Sequence, residues 1–334
     1  MPFRTHTLPR LADNAILIVG AQRSGTTWLG KIFDSHPDVL YRHEPDREAL
    51  LPPRAEGPVL RAAVERWIHE RGSRAAGKRP FFRKTCQPGW AYWLRGAIAS
   101  ALAAGSKLPL IGQDLSHVTV PDLAAFGHAP HLRAAIKSIN LCHEIGRIAR
   151  LIPDSRTIVI MRHPCGQVHS VMRGAAQHRF ELRVAGADLP YDEVMAAAMA
   201  ERYGCAGPAF QALREAGKYA WGWVAFNETA LAAIEGTDNA RIVLYEDLCA
   251  EPVEHTRALF TFANLSWNAQ TEDFLTRSSH DSSSPGYYAV FRDSAAAAER
   301  WRSQMPAEDQ DAVRAVVAQT PLAQFWPDLC AGAL

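Results

Sequence analysis

A short loop near the start of the chain contains the residue types that bind phosphate-like anions. From residue 20 to residue 27 the sequence reads GAQRSGTT, with two glycines five positions apart. The cationic and hydroxyl side chains of this loop are Arg23, Ser24, Thr26 and Thr27. Backbone N–H groups at the start of a helix also converge on an anion, and the helix dipole favours its negative charge. We therefore predict an anion cradle at this loop.

This loop differs from that of the nucleoside triphosphatases at one position. The triphosphatase pattern G-x-x-x-x-G-K-[ST] places a lysine after the second glycine, where it reaches the β- and γ-phosphates. Thr26 occupies that position here, although Gly20 and Gly25 keep the spacing. The sequence thus predicts anion binding without the usual handling of a triphosphate. A turn that only caps a helix is the alternative interpretation.

The elements on either side of the loop are those that would position it. Residues 15–19 form an apolar run rich in β-branched side chains, which is typical of a buried strand. After the loop, Trp28, Leu29, Ile32 and Phe33 recur at helical spacing. Strand, loop and helix therefore follow one another in the order that a phosphate-binding loop requires.

A second strand–turn–helix segment carries another pair of anion-binding side chains. The apolar run that ends at Met161 is followed by Arg162, and Ser170 lies eight residues further along, on a predicted helix. A guanidinium group can bind a phosphate through two parallel hydrogen bonds, and a hydroxyl in the first helical turn can add another. An arginine in an ordinary salt bridge at a strand end is the alternative interpretation.

Together these segments resemble the sulfotransferases that use 3′-phosphoadenosine-5′-phosphosulfate (PAPS). The stretch RSGTTWL resembles their loop for the 5′-phosphosulfate, and Arg162 with Ser170 resembles their pair for the 3′-phosphate. Trp28 matches a tryptophan that flanks the adenine in many cytosolic members, and the polar segment 278–294 matches a loop that closes over the nucleotide. The resemblance implies a PAPS site formed by Arg23, Ser24, Gly25, Thr26, Thr27, Trp28, Arg162, Ser170, Tyr288 and Arg292.

The resemblance also implies a reaction, the in-line transfer of a sulfuryl group from PAPS to an acceptor hydroxyl or amine without a metal ion. Arg23 and the loop amides would meet the departing phosphate. Such a transfer needs a base for the acceptor proton and positive charge for the sulfuryl oxygens. Members that act on phenols and steroids carry a K-T-H-like motif with a histidine base, but the comparable residues here are Lys137, Ser138 and Ile139.

Carbohydrate and tyrosyl-protein sulfotransferases instead place a glutamate shortly after the first helix, and the HEP sequence puts Glu44 there. The resemblance thus implies that Glu44 is the general base, its pKa raised by partial burial, and that Lys137 stabilises the transferring charge. His43 is the alternative base, and an ordinary loop salt bridge is the alternative role of Glu44. The chain resembles the carbohydrate and tyrosyl-protein type more than the phenol and steroid type.

The acceptor class is indicated by one aromatic and basic segment, FFRKTCQPGWAYWLRG at residues 81–96. It can be part of a helical cap, or it can form a wall of the acceptor pocket, because aromatic faces suit sugar rings and phenols. We predict a small-molecule or carbohydrate acceptor. A nucleotide or small-molecule kinase with the same type of loop, and a nucleotide-binding protein without catalytic activity, are the alternatives.

The order of the segments predicts the fold class. Strands that alternate with helices indicate an α/β protein with a central, mostly parallel sheet between two layers of helices. We predict a single domain over residues 1–334, similar to the phosphate-loop NTPase fold. Residues 50–130 and 175–235 are predicted to be helical insertions that form a cap.

Composition limits the other function classes. A formal net charge of +1 argues against nucleic acid as a partner. The sequence has neither an apolar signal region nor a run long enough for a membrane span, so we expect no membrane association. Scattered cysteines and no metal-ligand spacing among the histidines favour a metal-free cytoplasmic protein, and the Ala- and Arg-rich usage suits a bacterium. A homodimer is compatible with the sequence.

Overall fold

A computed structural model describes residues 11–47, 51, 55–105, 118–124, 132–176, 193–280 and 294–330. Its centre is a sheet of five parallel strands with the order β2-β3-β1-β4-β5. The strands are β1 (Ile16–Val19), β2 (Val39–His43), β3 (Arg133–Ser138), β4 (Arg156–Met161) and β5 (Ala240–Leu244). The predicted α/β class with a mainly parallel sheet is confirmed. The apolar run LPLIGQDL at Leu108–Leu115 also predicts a strand, but these residues lie outside the described part of the chain.

Helices cover both faces of this sheet. Before β3 they are α1 (Thr26–Ser35), α2 (Gly57–Ile68), α3 (Ser73–Ala76) and α4 (Gly89–Gly105). Between β3 and β5 they are α5 (Ile145–Leu151), α6 (Pro164–Ala176), α7 (Glu193–Arg202), α8 (Pro208–Gln211) and α9 (Glu215–Ile234). After β5 they are α10 (Tyr245–Ala250), α11 (Pro252–Phe262), α12 (Ala269–His280), α13 (Ser294–Glu299), α14 (Trp301–Gln304), α15 (Ala307–Val317) and α16 (Pro327–Cys330).

The strand β1 shows why the sheet is covered on both sides. Successive side chains of a strand point to opposite faces. Ile16 and Ile18 pack in an apolar cluster with α1, α11 and α12, whereas Leu17 and Val19 pack in a second cluster that includes α9. All four side chains are fully buried, which explains the uninterrupted apolar run in the sequence.

The division of the chain into one domain with two helical insertions stays a prediction.

Strand order brings the predicted site residues to one edge of the sheet. β1 lies between β3 and β4, so the loop after β1 is flanked by the carboxyl ends of both neighbours. His43 at the end of β2 is the register partner of Lys137 on β3. Ligands of open α/β sheets bind at such an edge, where the strand order changes direction.

A buried ionic cluster joins α1 to the segment that precedes α4. Asp34 accepts hydrogen bonds from Lys31 Nζ at 2.6 Å and from Lys84 Nζ at 2.9 Å. Lys31 Nζ also donates to the backbone oxygens of Lys78 at 2.6 Å and of Pro80 at 3.1 Å. Burial, partly offset by Asp34, lowers the pKa of Lys31 to about 8. Burial alone would raise the pKa of Asp34, but the two ammonium groups hold it well below its usual range.

Two further features concern the predictions from composition and from the late loop. Within the described residues, no helix combines the length and the apolar character needed to cross a membrane, and no three His, Cys, Asp or Glu side chains are grouped as metal ligands. Ser278 lies in α12, so the polar loop predicted to start there does not begin at that residue. Tyr288 and Arg292 lie outside the described residues.

Candidate active site

The loop between β1 and α1 depends on glycine at its last position. Gly25 has φ 98° and Arg23 has φ 70°, both in the left-handed region. A Cβ atom on Gly25 would overlap the ring of Tyr245. A Cβ atom on Gly20 would lie 2.5 Å from Ile160 O and 2.6 Å from Ser24 Oγ. The glycines therefore let the loop approach β4 and Tyr245 closely, while α1 begins directly after Gly25 with its N-terminus at the loop.

Replacing Gly25 with alanine is expected to distort this loop. A left-handed conformation costs an L-residue about 1–2 kcal/mol, and the overlap with Tyr245 adds to that cost. We expect the affinity for an anionic nucleotide to fall by at least about tenfold, measured by calorimetric titration with 3′-phosphoadenosine-5′-phosphate (PAP). Gly89→Ala is the matched control, because a Cβ at Gly89 meets no atom within 4 Å. Equal affinities in the two variants would contradict this account of the loop.

The second predicted anion pair, Arg162 and Ser170, meets the loop at Arg23. Arg23 Nε donates a hydrogen bond to Ser170 Oγ at 3.1 Å. Arg162 Nη1 donates to the backbone oxygen of Arg23 at 3.2 Å, and its Nη2 donates to Ala297 O at 2.9 Å. The guanidinium of Arg162 lies 4.8 Å from the ring centroid of Tyr245. The two motifs found separately in the sequence thus form one cationic cluster.

Unsatisfied polar atoms in this cluster fit a bound phosphate-type group. Within the described residues, neither Ser24 Oγ nor Arg162 Nε has a hydrogen-bond partner, although both atoms are buried. A buried polar group without a partner costs free energy, and an anion would satisfy both donors. Thr26 and Thr27 lie at the N-terminus of α1, next to Ser24. These donors fit the phosphate groups of a nucleotide.

Trp28, which is predicted to lie next to an adenine, is buried and makes contacts within the protein. Its indole is buried, and its Nε1 donates to Ser278 Oγ of α12 at 3.1 Å. The indole also packs edge-on against Tyr245 at a centroid distance of 6.2 Å. Trp28 therefore joins α1 to α12 and to the residue beneath Gly25. Its contact with an adenine stays a prediction.

Glu44, Lys137 and His43, which lie far apart in the sequence, come together at the ends of β2 and β3. Glu44 follows β2 directly and has φ 51°, and its N–H donates to Lys137 O at 2.7 Å. The Lys137 ammonium donates to Glu44 Oε1, and both side chains are largely buried. Arg47 Nε lies 3.3 Å from Glu44 Oε2. The positive φ turns the Glu44 side chain back to the strand edge, where the lysine can reach it.

The predicted direction of the Glu44 pKa shift is wrong. Burial does raise the pKa of Glu44, but the positive charges of Lys137 and Arg47 outweigh that effect and hold the pKa well below its usual range. Glu44 is therefore an ionised carboxylate at neutral pH. The loop salt bridge that the sequence left open is present, and its partner is the predicted charge-stabilising lysine.

His43 is a neutral imidazole in this arrangement. Burial and the nearby Lys137 ammonium lower its pKa well below the usual value. Its Nδ1 is 2.9 Å from the hydroxyl oxygen of Tyr41, and its Nε2 is 3.8 Å from Glu44 Oε1. The imidazole thus lies beside the glutamate and stays uncharged at neutral pH.

The loop after β2 is fixed to β3 by a residue that the sequence analysis did not select. Asp46 Oδ2 accepts hydrogen bonds from Ser138 Oγ at 2.8 Å and from Asn140 Nδ2 at 3.2 Å. Burial raises the pKa of Asp46 despite these bonds. Ser138 follows Lys137, so these bonds hold the Glu44 loop against the same strand that carries the lysine.

Lys78 is a second residue near the site that the sequence analysis did not select. Burial lowers its pKa, and the charges of Lys137, Glu44 and Arg23 act on it directly. Its backbone oxygen is bound by Lys31 of the ionic cluster. No local pattern marks this residue, because its position results from the packing of residues 78–84 against α1.

Comparison with known proteins shows which family this chain matches. A model described as the sulfotransferase family matches residues 15–269. The chain belongs to the sulfotransferase family. The matched region contains the loop, Glu44, Lys137, Arg162 and Ser170, so the resemblance noted in the sequence is confirmed at the level of the family.

Three individual sulfotransferases show a distant similarity to this chain. Carbohydrate sulfotransferase 1 of Danio rerio is 37% identical over 67 residues, which are 19% of this chain and 16% of that protein. The sulfotransferase domain from the curacin biosynthetic pathway is 16% identical with a TM-score of 0.44, over 91% of this chain and 96% of that one. Mouse sulfotransferase SULT7A1 complexed with PAP is 12% identical with a TM-score of 0.42, over 91% of this chain and 83% of that one.

Proposed function

We propose that this sulfotransferase transfers the sulfuryl group of PAPS to a hydroxyl of a small-molecule or carbohydrate acceptor, with Glu44 as the general base. One observation carries the proposal. The cationic cluster of Arg23, Arg162 and Ser170 lies at the same sheet edge as a buried pair of an ionised carboxylate and an ammonium group. A donor cradle and an acid–base pair are the two parts that such a transfer needs.

On the donor side, the chain supplies fixed positive charge and hydrogen-bond donors. The N-terminus of α1, with Ser24, Thr26 and Thr27, would hold the phosphosulfate, and Arg162 with Ser170 would hold the 3′-phosphate. Bound PAPS supplies an activated sulfuryl group and a phosphate that departs with negative charge. Arg23 contacts Ser170 and lies in the loop, so its guanidinium can stabilise that departing phosphate.

On the acceptor side, Lys137 would change its partner from Glu44 to the transferring sulfuryl group. While the Lys137 ammonium donates a hydrogen bond to Glu44 Oε1, the carboxylate is a weak base. Sulfuryl oxygens beside Lys137 would compete for the same ammonium. Glu44 then regains basicity and can take the proton of an acceptor hydroxyl while Lys137 stabilises the transferring charge. The lowered pKa of Glu44 thus describes a base that is held inactive by its partner.

The acceptor proposal rests on the helix α4 and the segment before it. Trp90 and Trp93 are 55% and 69% exposed, and exposed indole faces suit sugar rings. The Arg83 guanidinium lies 5.5 Å from the ring centroid of Tyr92, which adds a cationic group to this aromatic surface. A polar acceptor with several hydroxyl groups fits this combination.

Calorimetric titration with PAP tests the donor assignment. We expect PAP to bind without Mg²⁺ and ATP with Mg²⁺ to bind poorly. Arg162→Ala should weaken PAP binding about tenfold to a hundredfold, because a charge-assisted contact contributes roughly 1.5–3 kcal/mol. The matched control is Arg156→Ala at the opposite end of β4, where the guanidinium binds Phe262 O.

Transfer is then measured with sulfur-labelled PAPS and a panel of sugars, phenols and amines. Labelled product from a hydroxyl acceptor would support the proposal. Tight binding of ATP with Mg²⁺ and none of PAP would instead indicate a kinase. PAP binding without transfer to any acceptor would indicate a nucleotide-binding protein that lacks catalytic activity.

A further inference from the structure

Tyr41 and His43 lie on the same face of β2 and form a buried pair beside the site. The Tyr41 hydroxyl oxygen is 2.9 Å from His43 Nδ1, and both side chains are almost fully buried. The helix α1 leaves room for this hydroxyl at Gly30, where a Cβ atom would lie 2.8 Å from it. Lys31 Nζ is 4.6 Å from the centre of the Tyr41 ring. The position of the hydroxyl is therefore fixed from the α1 side.

The protonation of this pair follows from what faces each nitrogen of the imidazole. A neutral imidazole carries one N–H, and the partner of the other nitrogen decides where it is. Burial, with Asp34 and Glu44 nearby, raises the pKa of Tyr41 well above its usual value. The phenol therefore keeps its proton and can donate a hydrogen bond to His43 Nδ1. His43 Nε2 faces the ionised Glu44 carboxylate at 3.8 Å, where a lone pair would be repelled and an N–H is attracted.

We propose that Tyr41 is a positioning residue that holds His43 in the Nε2–H tautomer, so that His43 donates a hydrogen bond into the site and Glu44 alone accepts the acceptor's proton. This inference rests on the proposed function, and it decides between the two bases that the sequence left open. The Nε2–H group points towards the Glu44 side of the site. There it can orient the carboxylate or the oxygen of the acceptor hydroxyl.

The charges around His43 agree with a donor that stays neutral. Lys137, Lys78 and Lys31 act on the imidazole as positive charges, and Glu44 acts on it as a negative charge. The ammonium groups oppose formation of an imidazolium. An imidazole that takes up a proton from the acceptor would become a cation among these groups, whereas Glu44 would become neutral beside Lys137. The ammonium groups therefore disfavour the imidazole as proton acceptor, whereas Glu44 can take the proton once Lys137 turns from the carboxylate to the sulfuryl oxygens.

Nuclear magnetic resonance of the ¹⁵N-histidine-labelled protein tests the tautomer without any turnover. Long-range proton–nitrogen correlations distinguish the two tautomers, and the His43 signals are identified by their loss in His43→Gln. We expect Nδ1 to be unprotonated and Nε2 to be protonated at neutral pH. A proton on Nδ1 would overturn the proposal even if the protein is an active sulfotransferase. Conversely, the expected tautomer in a protein that does not bind PAP would place the failure in the proposed function.

Kinetics of three variants test the consequence for catalysis. His43→Gln keeps an N–H donor near the Nε2 position but cannot act as a base, whereas His43→Ala removes both properties. We expect His43→Gln to retain most of the kcat that His43→Ala loses. Equal losses in both variants, with folding and PAP affinity preserved, would mean that His43 is the base.

Tyr41→Phe keeps the ring and removes only the donor hydroxyl. We expect a mixture of His43 tautomers and a kcat lowered by about three- to tenfold, as for loss of one hydrogen bond, with unchanged PAP affinity. Tyr203→Phe is the control, because it removes a hydroxyl that follows α7 and donates to Glu228 of α9 at 2.5 Å. A tautomer and a kcat that are unaffected in Tyr41→Phe would show that the hydroxyl has no positioning role.

Discussion

Replacing Glu44 with glutamine is expected to lower kcat by about 10²–10⁴-fold while the affinity for PAP is preserved. That range is the usual contribution of a positioned acid or base. Glutamine keeps the shape of the side chain and an oxygen for Lys137 but accepts no proton at neutral pH. The donor site is held by Arg23, Arg162 and Ser170, which are joined to one another by hydrogen bonds.

Steady-state kinetics with labelled PAPS and PAP calorimetry on the same samples measure the two quantities. Glu56→Gln, an exposed glutamate that precedes α2, is the matched control and should leave both unchanged. Because the pKa of Glu44 lies below its ordinary value of 4.5, the acid limb of kcat/KM caused by this group should also lie below about pH 4.5. Near-normal turnover in Glu44→Gln with intact PAP binding would exclude Glu44 as the base.

The second large effect concerns stability. Asp34→Asn is expected to lower the free energy of unfolding by about 3–5 kcal/mol, because it removes the only carboxylate in the described cluster that neutralises two buried ammonium groups. The side chains of Lys31 and Asp34 are 0% exposed, so water cannot replace the lost partner. Chemical denaturation of the wild type and the variant gives the difference directly.

A surface aspartate provides the comparison. Asp273 pairs with Arg277 at 2.7 Å, but the two side chains are 62% and 58% exposed. Asp273→Asn should therefore change the free energy of unfolding by no more than about 1 kcal/mol. Similar losses in Asp273→Asn and Asp34→Asn would show that burial does not strengthen the cluster.

The same carboxylate sets part of the acid stability. The pKa of Asp34 is lower in the folded chain than its ordinary value of 3.8, so the unfolded chain binds the proton first as the pH falls. The stabilisation is fully present above about pH 4 and is lost below it. In Asp34→Asn this part of the pH dependence of stability should disappear. The part due to Glu44, whose pKa is also lowered in the folded chain, should remain.

The sequence predicted the parts of the site that are encoded locally. The run before Gly20, the two glycines and the helix after them are adjacent in the chain, and Arg162 is likewise set by the strand before it. Glu44 and Lys137 were selected because they match the positions of motif residues in other sulfotransferases. Their meeting required only that parallel strands end at the same edge of the sheet.

The electrostatic state of Glu44 could not be predicted in the same way. Its pKa depends on the ammonium group of Lys137, which is 93 residues away in the chain, and burial without that partner would have shifted the pKa in the opposite direction. Lys78 was missed for a related reason. Its place near the site is set by the contact of its backbone with Lys31 and by no pattern in residues 54–80.

The ionic cluster of Lys31, Asp34 and Lys84 has a consequence for the modularity of the enzyme. Lys31 of α1 donates hydrogen bonds to the backbone oxygens of Lys78 and Pro80. In return, Lys84 donates to the backbone oxygens of Asp34 and His36. Both α1 and the segment 78–84 thus contribute a buried ammonium group whose acceptors lie on the other. A segment transplanted from another sulfotransferase to change acceptor preference would have to carry a lysine at position 84 and a backbone that Lys31 can bind. An exchange of residues 78–84 therefore has to include Lys31 and Asp34 on α1. Recombination between relatives should give a stable protein only when both segments come from the same parent.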